Sequence, residues 1–371
     1  MPSSHFTSKT NEMDAFLTEQ FPLSVGALAF SRGSTALYAL FSALRASRGQ
    51  GEVIIPGICC ETVAMAALFA GMRPVIADVD PATLCIDPKA LAAALSSDVR
   101  AVIVVHVFGC IAPVDVIASL CKDKDIVLIE DLAHAPGACD FSGRRLGDAL
   151  DCALYSFSEG KVIKGKGGGL VFNRNQALFE QVRAVRAELP APLPAETYAL
   201  LELSLRNLTH GLHDLVRVNP DARIGHAFLE AAGGYLPLIA CGASDFPLVQ
   251  ISDSFRRLPE SNQERIRRYQ IYKDGIRRQG ARVANIPPMG TCWRCPVLFD
   301  SPEEAKAITR ALRDAGIHAS NHYFPLDRLL FDSAAPINHL VGETIVNLWV
   351  DDSIPQSMIE RAIEVINRRS D

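Results

Sequence analysis

One glycine-rich stretch holds three lysines: Ser156-Phe157-Ser158-Glu159-Gly160-Lys161-Val162-Ile163-Lys164-Gly165-Lys166-Gly167-Gly168-Gly169. Taken alone, such a loop is a solvated basic turn. Gly160-x-x-x-x-Gly165-Lys166 matches the opening of a phosphate-binding P-loop, but Gly167 stands where that motif needs Ser or Thr. A strand pattern follows it instead of a helix, so the P-loop reading fails. Two other segments change the weight of the lysines. Ser31-Arg32-Gly33-Ser34-Thr35 ends an apolar run and opens a helical pattern. Free N–H groups, two hydroxyls and the positive end of a helix dipole suit a phosphate there, although Ser-Thr is also an ordinary N-cap. In Ile129-Glu130-Asp131-Leu132-Ala133-His134, Asp131 closes an apolar run. A carboxylate in that position needs a cation or good hydrogen bonds, and a plain N-cap role competes with a cofactor role. A phosphate cradle, a buried acid and a loop lysine form the set that pyridoxal 5′-phosphate (PLP) requires. The lysine bonds its aldehyde as a Schiff base, and the acid keeps its ring nitrogen protonated.

Elements that place these residues at strand ends are visible in the hydrophobic pattern. Short apolar runs at 27–30, 53–55, 74–77, 101–105, 126–129, 153–157 and 169–172 alternate with helical patterns at 35–46, 62–70, 88–95 and 114–122. Several runs are apolar throughout, as strands covered on both faces are. The expectation is an α/β domain with a mainly parallel central sheet and ligands beyond the carboxyl ends of its strands. After Arg186, three prolines (Pro190, Pro192, Pro194) precede an amphipathic Leu-rich helix, about 195–217, which reads as a helical insertion packing on its own domain or on a partner. Gly233 to Pro247 reads as a connection and Glu260 to Gln279 as a polar helix. A smaller α+β unit follows, with strands at 293–299, 318–323 and 344–350 and helices at 302–315 and 356–369. The domain expectation is a large PLP-binding unit over 1–245 and a small C-terminal unit over 246–371.

These motifs resemble the DegT/DnrJ/EryC1/StrS family of PLP-dependent sugar aminotransferases, in register from about Ala29 to Phe172 and more loosely from Gln263 onward. Gly33-Ser34-Thr35-Ala36-Leu37 is similar to the family's phosphate-binding Gly-Thr-x-Ala-Leu. Val53 to Pro56, Pro74 to Asp80 and Val105-His106-Val107-Phe108-Gly109 match further signatures. Glu130-Asp131-Leu132-Ala133-His134-Ala135 resembles the segment that holds the ring nitrogen with Asp and the ring hydroxyl with Gln or His. Tyr155-Ser156-Phe157-x-x-x-Lys161 resembles the segment in which Ser touches the phosphate and Lys bonds the aldehyde, which selects Lys161 over Lys164 and Lys166. Asn321-His322-Tyr323-Phe324-Pro325 resembles a small-domain His-Tyr-x-Pro turn. The resemblance implies an aspartate-aminotransferase-like PLP fold (fold type I) and a homodimer with active sites between subunits. It also implies transfer of an amino group, with glutamate as donor, to a keto group of a nucleotide-linked sugar or related intermediate. Lys161 and Asp131 are then catalytic. Gly33, Ser34, Thr35, Cys60, His134 and Ser156 join them in holding the cofactor, with Arg294, His322 and Tyr323 as substrate candidates.

The sequence departs from the family at two places. Cys60 stands where an aromatic stacks on the cofactor ring, and no Asn-x-Arg segment matches near Ala243 to Pro247. Those departures keep alternatives open: a PLP-dependent lyase, dehydratase or carbon–carbon bond-forming enzyme, or a non-catalytic PLP-binding sensor. Arg294 could grip a carboxylate with two N–H groups, against the plainer reading of a surface arginine. Cys292-x-x-Cys295 has no second pair at zinc spacing, and His210-x-x-His213 has no nearby carboxylate pair, so no metal site is expected. With 37 basic and 42 acidic residues the net charge is −5, and 49% of residues are hydrophobic. Neither nucleic acid nor a membrane is an expected partner. The start of the chain lacks a basic segment followed by an apolar one, and most of the ten cysteines, such as Cys110, Cys121, Cys152 and Cys241, sit in apolar runs, so a reduced cytoplasmic setting is the expectation.

Overall fold

The computed structural model describes residues 4–158, 160–218, 229–243, 245–330 and 335–368, with the side chains of 4–8, 210 and 212–218 excepted. Helix α1 (Ser4–Gln20) leads into a unit that alternates strands and helices. These are β1 (Gly26–Phe30), α2 (Gly33–Arg48), β2 (Glu52–Pro56), α3 (Glu61–Phe69), β3 (Arg73–Ala77), α4 (Pro88–Ala94), β4 (Val99–Val105), α5 (Val114–Leu120), β5 (Val127–Asp131), β6 (Cys152–Ser156), β7 (Gly168–Phe172) and α6 (Gln176–Ala187). The seven strands form one sheet in the order β1-β7-β6-β5-β4-β2-β3. Only β7 runs against the rest. The expected α/β class and mainly parallel sheet are therefore present.

Both faces of this sheet are covered, which is why its strands lack a polar side. In β1, Leu28 and Phe30 enter one core cluster with Leu37, Leu40 and Leu44 of α2, while Ala27 and Ala29 face Met13 and Leu17 of α1 in another. β6 divides the same way, with Cys152 and Leu154 on the first face and Ala153 and Tyr155 on the second. A Cβ at Gly169 would lie 2.7 Å from the tip of the Leu17 side chain, so a larger residue there would push that side chain of α1 aside. The chain runs from β2 outward to β3 and returns to β4 on the other side of β2, which leaves a crevice at the carboxyl ends of the strands.

Helix α7 (Ala195–Val218) follows as expected, and its Leu205 packs with Met65 of α3, Leu238 and Ile239. The expected connection at 233–247 contains a short helix, Leu236–Ile239, because Pro237 fits the first turn and Leu238 and Ile239 are buried against α3. The polar helix spans Leu258–Gly275, ending where Ile276 turns extended. A second, antiparallel sheet, ordered β10-β11-β9-β8, comprises β8 (Arg282–Val283), β9 (Arg294–Leu298), β10 (Ala319–Ser320) and β11 (Ile345–Trp349). The expected strand at 318–323 shrinks to two residues. Beyond Ser320 the Asn321 amide donates to the Ile345 carbonyl at 2.8 Å and the Asn347 amide donates to the His322 carbonyl, so side chains take over from the backbone ladder. Helices Pro302–Asp314 and Gln356–Asn367 complete the small unit as expected. No helix among the described residues is long and apolar enough to cross a membrane.

Candidate active site

The site residues arrive from the carboxyl ends of β1, β2, β5 and β6. Helix α2 starts directly after β1, with no side chain capping it. Its first backward hydrogen bond is from the Ala36 N–H to the Arg32 carbonyl at 3.1 Å, so the Ser34 and Thr35 N–H groups precede the helical ladder. Ser34 and Thr35 are buried, and the Thr35 hydroxyl is 3.0 Å from that of Ser31. A Cβ at Gly33 would lie 3.3 Å from Ser156 Cβ, and one at Gly168 only 2.4 Å from the Gly33 nitrogen. Glycines at 33 and 168 thus keep the helix end open beside Ser156, and the cradle has the donors a phosphate takes.

Asp131, the last residue of β5, is buried. One of its carboxylate oxygens accepts the Ala133 N–H at 2.8 Å, and the other has no hydrogen-bond partner among the described residues. Burial lifts this carboxyl above its ordinary range against the pull of the Ala133 N–H and of the Lys161 and His106 charges. An acid of this kind fits a protonated ring nitrogen. Behind it lies a fully buried pair, His106 and Glu130, with Nε2 and Oε1 3.1 Å apart. His106 Nδ1 accepts the Ala112 N–H, so its ring proton sits on Nε2 and points at Glu130.

His134 is fixed by the same logic. Its Nδ1 accepts the Phe108 backbone N–H at 3.1 Å, which leaves the proton of the neutral ring on Nε2. Burial, followed by the Lys161 and Arg294 charges, holds its pKa well below the usual imidazole range, so the ring is neutral. Nε2 faces Lys161 Nζ at 2.7 Å and the Tyr323 hydroxyl at 3.1 Å. With its proton on Nε2, His134 offers that N–H to the Lys161 amine, a contact that favours the neutral amine over the ammonium form. Burial indeed lowers the Lys161 pKa, outweighing the acidic groups Cys60, Asp131 and Glu61 that favour its ammonium form, while Arg294 opposes that form. Lys164 and Lys166, the rejected alternatives, are exposed, and Lys164 pairs with Asp352 at 3.4 Å.

Cys60 caps α3, its thiol 3.1 Å from the Thr62 hydroxyl and pushed up to about 11 mainly by burial. Tyr323 is buried and joins the site through His134, and the His322 ring lies one step further out, 5.7 Å from that of Tyr323. Arg294 departs from the surface-arginine reading. It is buried, with Trp293 and Trp349 rings 4.6 and 4.2 Å from its guanidinium, and pairs with Asp351 at 3.3 Å. Burial lowers its pKa to about 10. Cys292 and Cys295 are buried core thiols, and no cluster among the described residues could hold a metal. The His210 and His213 side chains and Ser244 lie outside the described residues.

Residues 5–189 match the DegT/DnrJ/EryC1/StrS aminotransferase family. Over those residues the chain belongs to that family. A glutamine:2-deoxy-scyllo-inosose aminotransferase from Streptoalloteichus tenebrarius is 28% identical over 289 residues, which cover 74% of this chain and 60% of that relative. The chain therefore spans less than two thirds of that curated relative's length. Among solved structures, the aminotransferase TlmJ from Streptoalloteichus hindustanus superposes with a TM-score of 0.73 at 23% identity, over 97% of this chain and 90% of the other. A Streptococcus pneumoniae protein in its PLP form gives 0.74 at 18% identity, over 97% and 90%. The fold is that of the PLP aminotransferases.

Two residues with a place in this DegT-family site were not singled out from sequence. Trp293 stacks on His134, ring centroids 3.8 Å apart and 10° from parallel. Glu61, whose carboxyl pKa burial pushes up, adds an acidic group near Lys161 and Tyr323. Trp293 adjoins Arg294 and Glu61 adjoins Cys60, so adjacency to a candidate was the only signal in the sequence.

Proposed function

We propose that this protein is a PLP-dependent aminotransferase that moves an amino group from an amino acid, with glutamate the expected donor, to a keto group of a sugar or related cyclic intermediate. The observation that carries this reading is the Lys161 amine 2.7 Å from His134 Nε2, with the His134 Nδ1 accepting the Phe108 N–H and Asp131 buried nearby. When bound, PLP supplies an aldehyde for amines and a ring that takes up the electron pair left by a lost α-proton. Asp131 would hold the cofactor's ring nitrogen, His134 its ring hydroxyl, and the α2 N-terminus with Ser34, Thr35 and Ser156 its phosphate. The Lys161 amine would serve as the base that takes the donor's α-proton and the acid that returns it.

The small unit supports an anionic donor. Arg265 and Arg294 are both buried, and Asp351 is the one carboxylate paired with either among the described residues. A buried region with more cations than anions favours a substrate carboxylate. A homodimer with sites at the subunit interface belongs to the same reading and rests on family resemblance.

Glutamate added to the PLP-loaded protein should abolish its visible band and yield pyridoxamine phosphate and 2-oxoglutarate, and Lys161→Ala should lose both signals, with activity down ~1,000-fold or more. The Cys60 thiol, where the family has an aromatic, favours a second reading, a lyase or dehydratase on the same scaffold. Release of a keto product without pyridoxamine phosphate would select it.

A further inference from the structure

Trp293 belongs to the small unit, yet its two N–H groups and one face of its ring reach into the large one. Its backbone N–H donates to the Phe108 carbonyl at 2.9 Å. The Phe108 N–H donates to His134 Nδ1, and His134 Nε2 meets Lys161 Nζ at 2.7 Å. The carbonyl just before Lys161, that of Gly160, accepts the Trp293 indole N–H at 2.6 Å. The four links close a circuit from β9 through the loop after β4, the end of β5 and the lysine loop. Ring packing follows the same path: the Trp293 ring lies on His134, and Lys161 Nζ sits 4.7 Å from the indole. The approach depends on Gly109, with φ +102, where a Cβ would lie 1.5 Å from the Thr291 carbonyl oxygen.

We propose that Trp293 is a positioning residue that sets the place of the Lys161 amine against His134 by holding the Gly160 carbonyl and the His134 ring plane together. The inference takes Lys161 as the reactive amine from the function proposed above. Cutting the indole link frees the lysine loop, lets the amine leave the His134 N–H and lets water reach it. The groups that face Lys161 from other elements, Cys60 and Glu61 from α3, Asp131 from β5, Arg294 from β9 and Tyr323, are untouched by that cut. A water-exposed amine regains its proton more readily, so its titration moves up.

The test uses PLP-free protein: trace acetylation of lysines over a pH series, read peptide by peptide by mass spectrometry, with Lys164 and Lys166 as internal references. Trp293→Phe keeps a ring on His134 and loses only the indole N–H; Trp293→Leu loses both. In folded W293F, checked by thermal melting, the Lys161 midpoint should rise by about one pH unit while the references stay put. The loaded enzyme should lose kcat ~10-fold with donor KM unchanged, and W293L should lose more. An unchanged Lys161 midpoint in folded W293F overturns the proposal. Because the labelling needs no cofactor, it succeeds or fails apart from PLP binding, which Lys161→Ala tests.

Discussion

The large sheet and the small sheet supply the same site by different means. From the large sheet come residues at strand ends, Gly33 to Thr35 after β1, Asp131 on β5, Ser156 on β6, each held by backbone hydrogen bonds of its own strand or helix. From the small unit come Trp293 and Tyr323, which reach across through ring contacts and hydrogen bonds to Phe108, Gly160 and His134, and Arg294, held within the small unit by Asp351. The positions of the first set are those of the sheet itself. The second depends on how the two units meet, so it is the part suited to tuning substrate fit. In the proposed site the reacting groups therefore come from the large unit, and their alignment depends on contacts with the small one.

That contrast ranks the expected effects of substitution. Asp131→Asn keeps the shape and the Ala133 N–H bond but removes the charge that favours a protonated ring. It should lower kcat about 100- to 1,000-fold while leaving the fold intact by circular dichroism. A loss under tenfold would mean that Asp131 does not sit on the ring nitrogen. Arg294→Gln should act on the donor alone, raising its KM roughly tenfold at nearly constant kcat for the acceptor half-reaction. Equal losses in both half-reactions would place Arg294 in the shared centre and erase the division between the units. W293F sits between these in kind, since it moves a large-unit group from the small unit.

Legibility followed the same division. Lys161 stood out of three lysines only through the resemblance of the Ser156 to Lys161 stretch to a family segment, and Asp131 because it closes an apolar run. Parallel strands covered on both faces announce themselves as unbroken apolar segments. Trp293 was hidden, since an aromatic at the start of a strand is usually core, and its partners His134 and Gly160 lie more than a hundred residues away. Arg294 looked like surface because burial of an arginine depends on rings and carboxylates, here Trp349 and Asp351, that only tertiary structure assembles. Helix α1 was not foreseen: between its start and Gln20 only scattered apolar residues such as Met13 and Leu17 face inward, too few for a clear period. The strand expected at 318–323 failed because Asn321 and Asn347 replace ladder bonds with their amides, a competition that hydropathy does not register.

The central claim is that one amine among the three in the glycine-rich loop carries the chemistry. Borohydride reduction of the PLP-loaded protein, followed by proteolysis and mass spectrometry, tests it directly. A stable pyridoxyl group on Lys161, with Lys164 and Lys166 unmodified, is the predicted result. The same label on either neighbour, or on no lysine of that loop, would contradict the account.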